Sequence, residues 1–208
     1  MYRISKTREL FIIFLGLLFP IIIGIYSFNK RIHPISHMLQ FTELVQQPDD
    51  ITCGPASISM LMSYYDKDLS VNEIKKITKT VWYSCDGRDF GMTAPELVRL
   101  SLSHYGFRSH LKYGKIDNLK FTIALGKPCI VLIRSGEWNW HYVVVIGFDQ
   151  EYIYYANPSS GEIEGLSTNE FDNSWNWSFD LHGRECGFWG KFFLKAIEIY
   201  PNSYIFVD

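Results

Sequence analysis

Four residues have types and spacings that could serve acyl chemistry together: Cys53, His141, Asn157 and Gln47. A thiol attacks a carbonyl as the thiolate, and both a helix N-terminus and a nearby imidazolium lower its pKa. Cys53 stands directly before Gly54-Pro55 in QQPDDITCGPASISMLMSYY, and proline in a first turn marks a helix start. His141 opens the run HYVVVIGF, where a base at a strand end is held rigidly and still reaches a cleft. A histidine in that role needs an orienting partner on its other ring nitrogen. Asn157 closes the next strand-like run, EYIYYAN, 16 residues beyond His141. Two antiparallel strands joined by a turn return to the edge they left, so one hairpin makes neighbours of His141 and Asn157. The oxyanion that develops in acyl transfer needs N–H donors. The Cys53 main chain and the Gln47 amide, six residues upstream, are the candidates.

Each residue also has an ordinary explanation. A cysteine before a helix is often a small buried residue, a strand histidine a packing or hydrogen-bonding group, Asn-Pro a turn, and a loop glutamine a solvated side chain. It is the joint order of Gln47, Cys53-Gly54-Pro55-Ala56, His141 and Asn157-Pro158 that favours a site.

The elements that must position these residues follow from periodicity. Ile58, Leu61, Met62 and Tyr65 recur at helical spacing after Cys53, and Ala56 and Met60 add a second apolar side, so this helix is central. Ser70 with Glu73, and Thr93 with Glu96, carry the capping-box spacing of two further helices, the second stopped by Gly106. Residues 80–92 read as an irregular loop. A strand near FRSHLKY and a helix near DNLKFTIAL, ended by Gly126, come next. PCIVLIR, HYVVVIGFD and EYIYYAN read as consecutive antiparallel strands, NPSSGE as a turn, STNEFDNSWNW as a short capped helix and GFWGKFFLKAIEIY as a final strand or strand pair. Helices first and strands second predict an α+β fold.

Composition narrows the function classes. The chain has 208 residues, 47% hydrophobic and 16% aromatic, ample for a core and unlike a disordered chain. A net charge of -2 without a basic cluster argues against nucleic acid as partner. LFIIFLGLLFPIIIGIYSF, residues 10–28, carries no charge. As a helix it would be about 28 Å long, close to a bilayer core. Arg3, Lys6 and Arg8 precede it and Lys30 and Arg31 follow, which favours an uncleaved anchor with its N-terminus cytoplasmic and the rest of the chain extracytoplasmic. A cleaved signal peptide, leaving a secreted or periplasmic protein, is the alternative. The chain thus divides into an anchor or signal segment (1–28), a linker (29–43) and one folded domain (44–208). None of the four cysteines forms a C-x-x-C pair, so a zinc ribbon or a thioredoxin-like site is not supported. Cys129 reads as a buried strand residue. Cys85 and Cys186 fall in loop-like segments and are either a disulfide or two free thiols.

The ordered motifs resemble those of the papain-like peptidases that process bacteriocin precursors at double-glycine leaders, and of their stand-alone relatives. Gln47 and Cys53-Gly54-Pro55-Ala56 match the family's Q-x5-CGPA motif, His141-Tyr142-Val143-Val144 its histidine strand, and Asn157-Pro158 its third site residue. GMTAPELVRLSLSHYGFRS is similar to an intervening family helix, and the likeness runs from about residue 44 to 178. The resemblance implies a papain-like fold, a Cys53–His141–Asn157 triad with Gln47 as oxyanion donor, a thioester intermediate, a peptide or protein substrate and no metal or organic cofactor. Two departures stand out. No transporter domain or Walker-type ATPase follows in these residues, which argues against leader-coupled export by this chain itself. Asn157 stands where many members have Asp, a weaker orienter for the imidazole. Trp138 and Trp140 either shield the catalytic pair or simply pack, whereas the tryptophans of SWNWSF read as packing residues. The rivals to a hydrolase are a non-catalytic peptide-binding module on the same fold and an acyltransferase resembling phytochelatin synthase.

Overall fold

The computed structural model describes residues 34–85, 88–136, 139–177 and 200–208, and of residues 81–92 the backbone alone. The expectations placed on segment 10–28, on Trp138, on a Cys85–Cys186 bridge and on GFWGKFFLKAIEIY up to residue 199 lie outside the described residues. Among the described residues no helix is long and apolar enough to cross a membrane.

Helix α1, Cys53–Tyr64, begins at the candidate nucleophile, and every residue from Gly54 to Met62 is buried. Its apolar residues on two sides thus have a physical outlet: the helix is enclosed by the rest of the fold. Helix α2, Val71–Thr78, carries both halves of the expected capping box between Ser70 and Glu73. Helix α3, Pro95–His104, departs from expectation at its start. Its cap is Ala94, with no side-chain bond. Pro95 takes a first helical position, which leaves Thr93 one residue too early. The Thr93 hydroxyl lies 2.6 Å from that of Thr80 instead, and Glu96 pairs with Arg99. Helix α4 spans Ile116–Ala124. Gly106 and Gly126 follow α3 and α4 with φ of 87° and 80°, as the expected stops require.

The other layer is an antiparallel sheet. Its strands are β1 (His37–Met38), β4 (Ser109–Tyr113), β5 (Cys129–Arg134), β6 (Trp140–Phe148), β7 (Tyr152–Asn157), β8 (Glu162–Ser167) and β9 (Ser203–Val207). Their order is β4-β9-β5-β6-β7-β8, with β1 also paired to β6. The segment read as a linker therefore contributes β1 to the folded unit, Ser36–Asp208. A separate hairpin, β2 (Val81–Cys85) with β3 (Arg88–Met92), replaces the irregular loop expected there. The pair Asp86-Gly87 between its strands is a hairpin signal in sequence. Helix α5, Thr168–Trp175, is capped by Ser167 and Glu170 as its sequence suggests. Cys129 to Ile133 of β5 are all buried, so both faces of the sheet are covered there, and α1 and α5 each pack against β5. Cys129 is a free, buried thiol, and Trp175 and Trp177 are core residues. Trp140 meets Trp177 edge to face at 5.4 Å.

Candidate active site

His141 and Asn157 share one face of the sheet by strand parity. The β6–β7 register places Val144 opposite Ala156, so Asn157 falls opposite Val143, two residues and one pleat repeat from His141. The side chains meet: His141 Nε2 lies 2.7 Å from Asn157 Oδ1. A carbonyl oxygen accepts, so Nε2 carries the proton and Nδ1 is left as the lone-pair nitrogen. Ser159 fixes the arrangement. Its main-chain N–H donates to the same Oδ1 at 2.9 Å, and its hydroxyl stands 3.3 Å from Nε2.

The Cys53 half is tied to this hairpin by hydrogen bonds to its main chain. The Gln47 main-chain N–H donates to the Pro158 carbonyl at 2.8 Å, and the Gln46 side-chain amide donates to that of Ser159 at 3.1 Å. The loop before α1 is thus hydrogen-bonded to the turn after β7. At the helix itself, Gly54 permits close approach: a β-carbon there would lie 3.3 Å from the Tyr142 ring and 3.4 Å from Thr93. The Tyr142 hydroxyl in turn donates to the Thr93 carbonyl at 2.6 Å. These contacts bring the sulfur within reach of the Tyr142 main-chain N–H, one residue from His141.

Burial and hydrogen bonding act on the two groups in opposite senses. Burial pushes the Cys53 thiol up, and the nearby Asp49 carboxylate adds to this, while the amides of Tyr142, Gly54 and Cys53 work in the opposite direction. Burial pulls His141 down, against its bond to Asn157 and the charge of Glu164. The first-turn amides of α1 have no side-chain cap, and those of Cys53 and Gly54 face the sulfur.

Gln47 sits beside the site with its amide partly engaged. One N–H donates to the Asp49 carbonyl at 2.7 Å, and its oxygen receives a long bond of 3.5 Å from Ser159. A primary amide has two N–H groups; the bond to Asp49 takes one, so among the described residues the other can meet an oxyanion. Among the described residues no group of three His, Cys, Asp or Glu could hold a metal ion.

One neighbour escaped the sequence reading. Glu164 accepts from Asn157 Nδ2 at 2.8 Å, from Ser160 Oγ at 2.8 Å and from the Tyr155 hydroxyl at 3.2 Å. It lies on β8, opposite Tyr155 and on the same face as Asn157. Period-two counting beyond the NPSSG turn would have found it, had EIEGLS been read as a strand. A cleft of about 420 Å³ opens on this side of the pair, reaching His141, Asn157, Glu164, Arg134 and Glu170.

Comparison with known proteins agrees with this architecture. The model of the Peptidase_C39 like family matches residues 35–178. The chain is 25% identical over 134 residues to the lactococcin-G-processing and transport ATP-binding protein LagD of Lactococcus lactis subsp. lactis, a match covering 64% of this chain and 18% of LagD. It spans less than a fifth of the length of the curated relatives it matches. The fold is similar to the peptidase domain of Streptococcus ComA, a bifunctional ABC transporter of a quorum-sensing pathway, with a TM-score of 0.58 at 19% identity over 79% of this chain and 96% of that one. It is also similar to a double glycine motif protease from an AMS/PCAT transporter, solved with the leader peptide, with a TM-score of 0.53 at 19% identity over 82% and 93%. The α+β architecture built around α1 and the antiparallel sheet is that of these peptidase domains, and the chain belongs to the Peptidase_C39 like family of cysteine peptidases.

Proposed function

We propose that Cys53, His141 and Asn157 form the catalytic triad of this peptidase, with Gln47 and the Cys53 main chain as oxyanion donors. The observation that supports it most is the 2.7 Å bond from His141 Nε2 to Asn157 Oδ1, which reserves Nδ1 for the thiol proton. Nδ1 of His141 takes the Cys53 proton, and the thiolate so formed beside the imidazolium attacks the peptide carbonyl. The imidazolium then gives that proton to the departing amine, leaving a thioester. Water, deprotonated by His141, cleaves the thioester and restores the thiol. The substrate is a peptide or protein, in keeping with the leader peptide held by the solved double glycine motif protease.

Incubation of the full chain with a peptide library, read by mass spectrometry, tests the assignment. New termini are expected with the parent protein and none with Cys53→Ala. Cleavage that persists in Cys53→Ala overturns it.

The same reading takes residues 10–28 as an uncleaved anchor, with the peptidase domain on the extracytoplasmic side. The uncharged run and its basic flanks support this. Alkaline carbonate should leave the full-length chain in the membrane pellet, and its release into the supernatant would refute an integral anchor.

A further inference from the structure

Resting on that triad, we propose that Glu164 is its positioning residue, fixing the Asn157 amide and supplying the negative charge that an asparagine lacks. An amide can present either its oxygen or its nitrogen to a neighbour. Here the choice is over-determined. Oδ1 receives the Ser159 N–H and faces the His141 N–H, while Nδ2 points at a carboxylate that can only accept. A flipped amide would set N–H₂ against N–H on one side and carbonyl against carboxylate on the other.

The carboxylate is itself held in place. Ser160 and Tyr155 donate to it along with Asn157, so donors from the turn, from β7 and from the Asn157 side chain converge on one group. Strand pairing does the placement, since β8 sets Glu164 opposite Tyr155. The charged and titratable groups facing this region are His141, Tyr155, Arg134 and Glu170, which line the same cleft. Burial works to raise the Glu164 carboxyl, and the bonds from Ser160, Asn157 and Tyr155 with the neighbouring His141 hold it below its ordinary range. An anion one amide away from the imidazole favours its protonated form. The arrangement thus splits between two residues what one aspartate does elsewhere. Asn157 supplies the hydrogen bond, and Glu164 the charge and the orientation.

Alkylation of Cys53 by iodoacetamide, followed by mass spectrometry of the Cys53 peptide in the full chain at neutral pH, separates the possibilities. If losing the anion costs one pKa unit in proton transfer from thiol to imidazole, Glu164→Gln slows alkylation about tenfold. Adding Asn157→Asp to Glu164→Gln returns the charge to the imidazole and restores most of the rate. Asn157→Asp alone crowds two carboxylates and brings no gain. A purely structural Glu164 would not be rescued by that second substitution. Glu164→Gln that folds and reacts at the parental rate overturns the inference, as does a double variant no faster than Glu164→Gln. Should Glu164→Gln fail to fold, the double variant is compared with the parent: a similar rate supports the inference and a roughly tenfold slower one overturns it. His141→Ala is the separate control. Parental alkylation in that variant sinks the triad itself, whereas slow alkylation there with a parental Glu164→Gln sinks the Glu164 role alone.

Discussion

The Cys53 sulfur faces main-chain amides of Tyr142, Gly54 and its own residue. Alkylation at neutral pH is carried by the share of molecules whose thiol proton sits on His141, so its rate should hold a plateau there and climb as pH passes the ordinary thiol value of 9.0. A rate that only climbs with pH, in the parent as in His141→Ala, would show that His141 takes no part in activating the thiol. His141→Ala should lower kcat by about 10²–10⁴-fold, and Gln47→Ala, which removes one oxyanion donor, by about 10²–10³-fold with little change in KM. His141 also couples stability to pH. Its folded pKa is depressed by burial, so below 6.5 the unfolded chain takes a proton that the folded one refuses. Stability is full above that value and declines as pH falls from 6.5 toward the lowered folded value. Thermal melts should show this slope in the parent and a shallower one in His141→Ala.

Elements decide how precisely these residues meet. Gly54→Ala would bring a methyl within 3.3 Å of the Tyr142 ring, so the ring or the start of α1 must give by a few tenths of an ångström. Tyr142 and Gly54 each adjoin a site residue, so activity should fall further than a denaturant midpoint suggests. Trp175 ties α5 to β9, donating to the Ser203 carbonyl at 2.8 Å from a fully buried position. Trp175→Ala should destabilise by about 3–5 kcal/mol in urea titrations. The same scale explains what was readable in sequence. Cys53, His141 and Asn157 stand at the ends of strongly patterned elements: a helix opened by Gly54-Pro55 and two β-branched, aromatic strands. Glu164 stands in EIEGLS, where two glutamates and a glycine give little strand preference of their own. Pairing with β7 makes it a strand, and no local pattern announces that. The Thr93 cap failed because Pro95 outranked it. The pull of burial on Cys53 and His141 was hidden because burial is a property of the packed fold.

At the scale of the molecule, long-range pairing builds the main sheet of the peptidase domain. β9 lies between β4 and β5, pairing Ser203–Val207 with Ser109–Tyr113 on one side and Ile205 with Ile130 on the other. No short-range signal in SYIFV foretells that seat. Removing residues 203–208 would expose strand edges of both neighbours. Such a truncation should lose its cooperative melt and scatter light on warming, whereas retention of the parental melting temperature would show that β9 is dispensable. The seat of β9 also orders events in time. A growing chain carries Cys53, His141 and Asn157 well before Ser203–Val207 have been made, and until then β4 and β5 lack the strand that lies between them. Translation therefore delivers the parts of the chemistry early and the join between these two strands late.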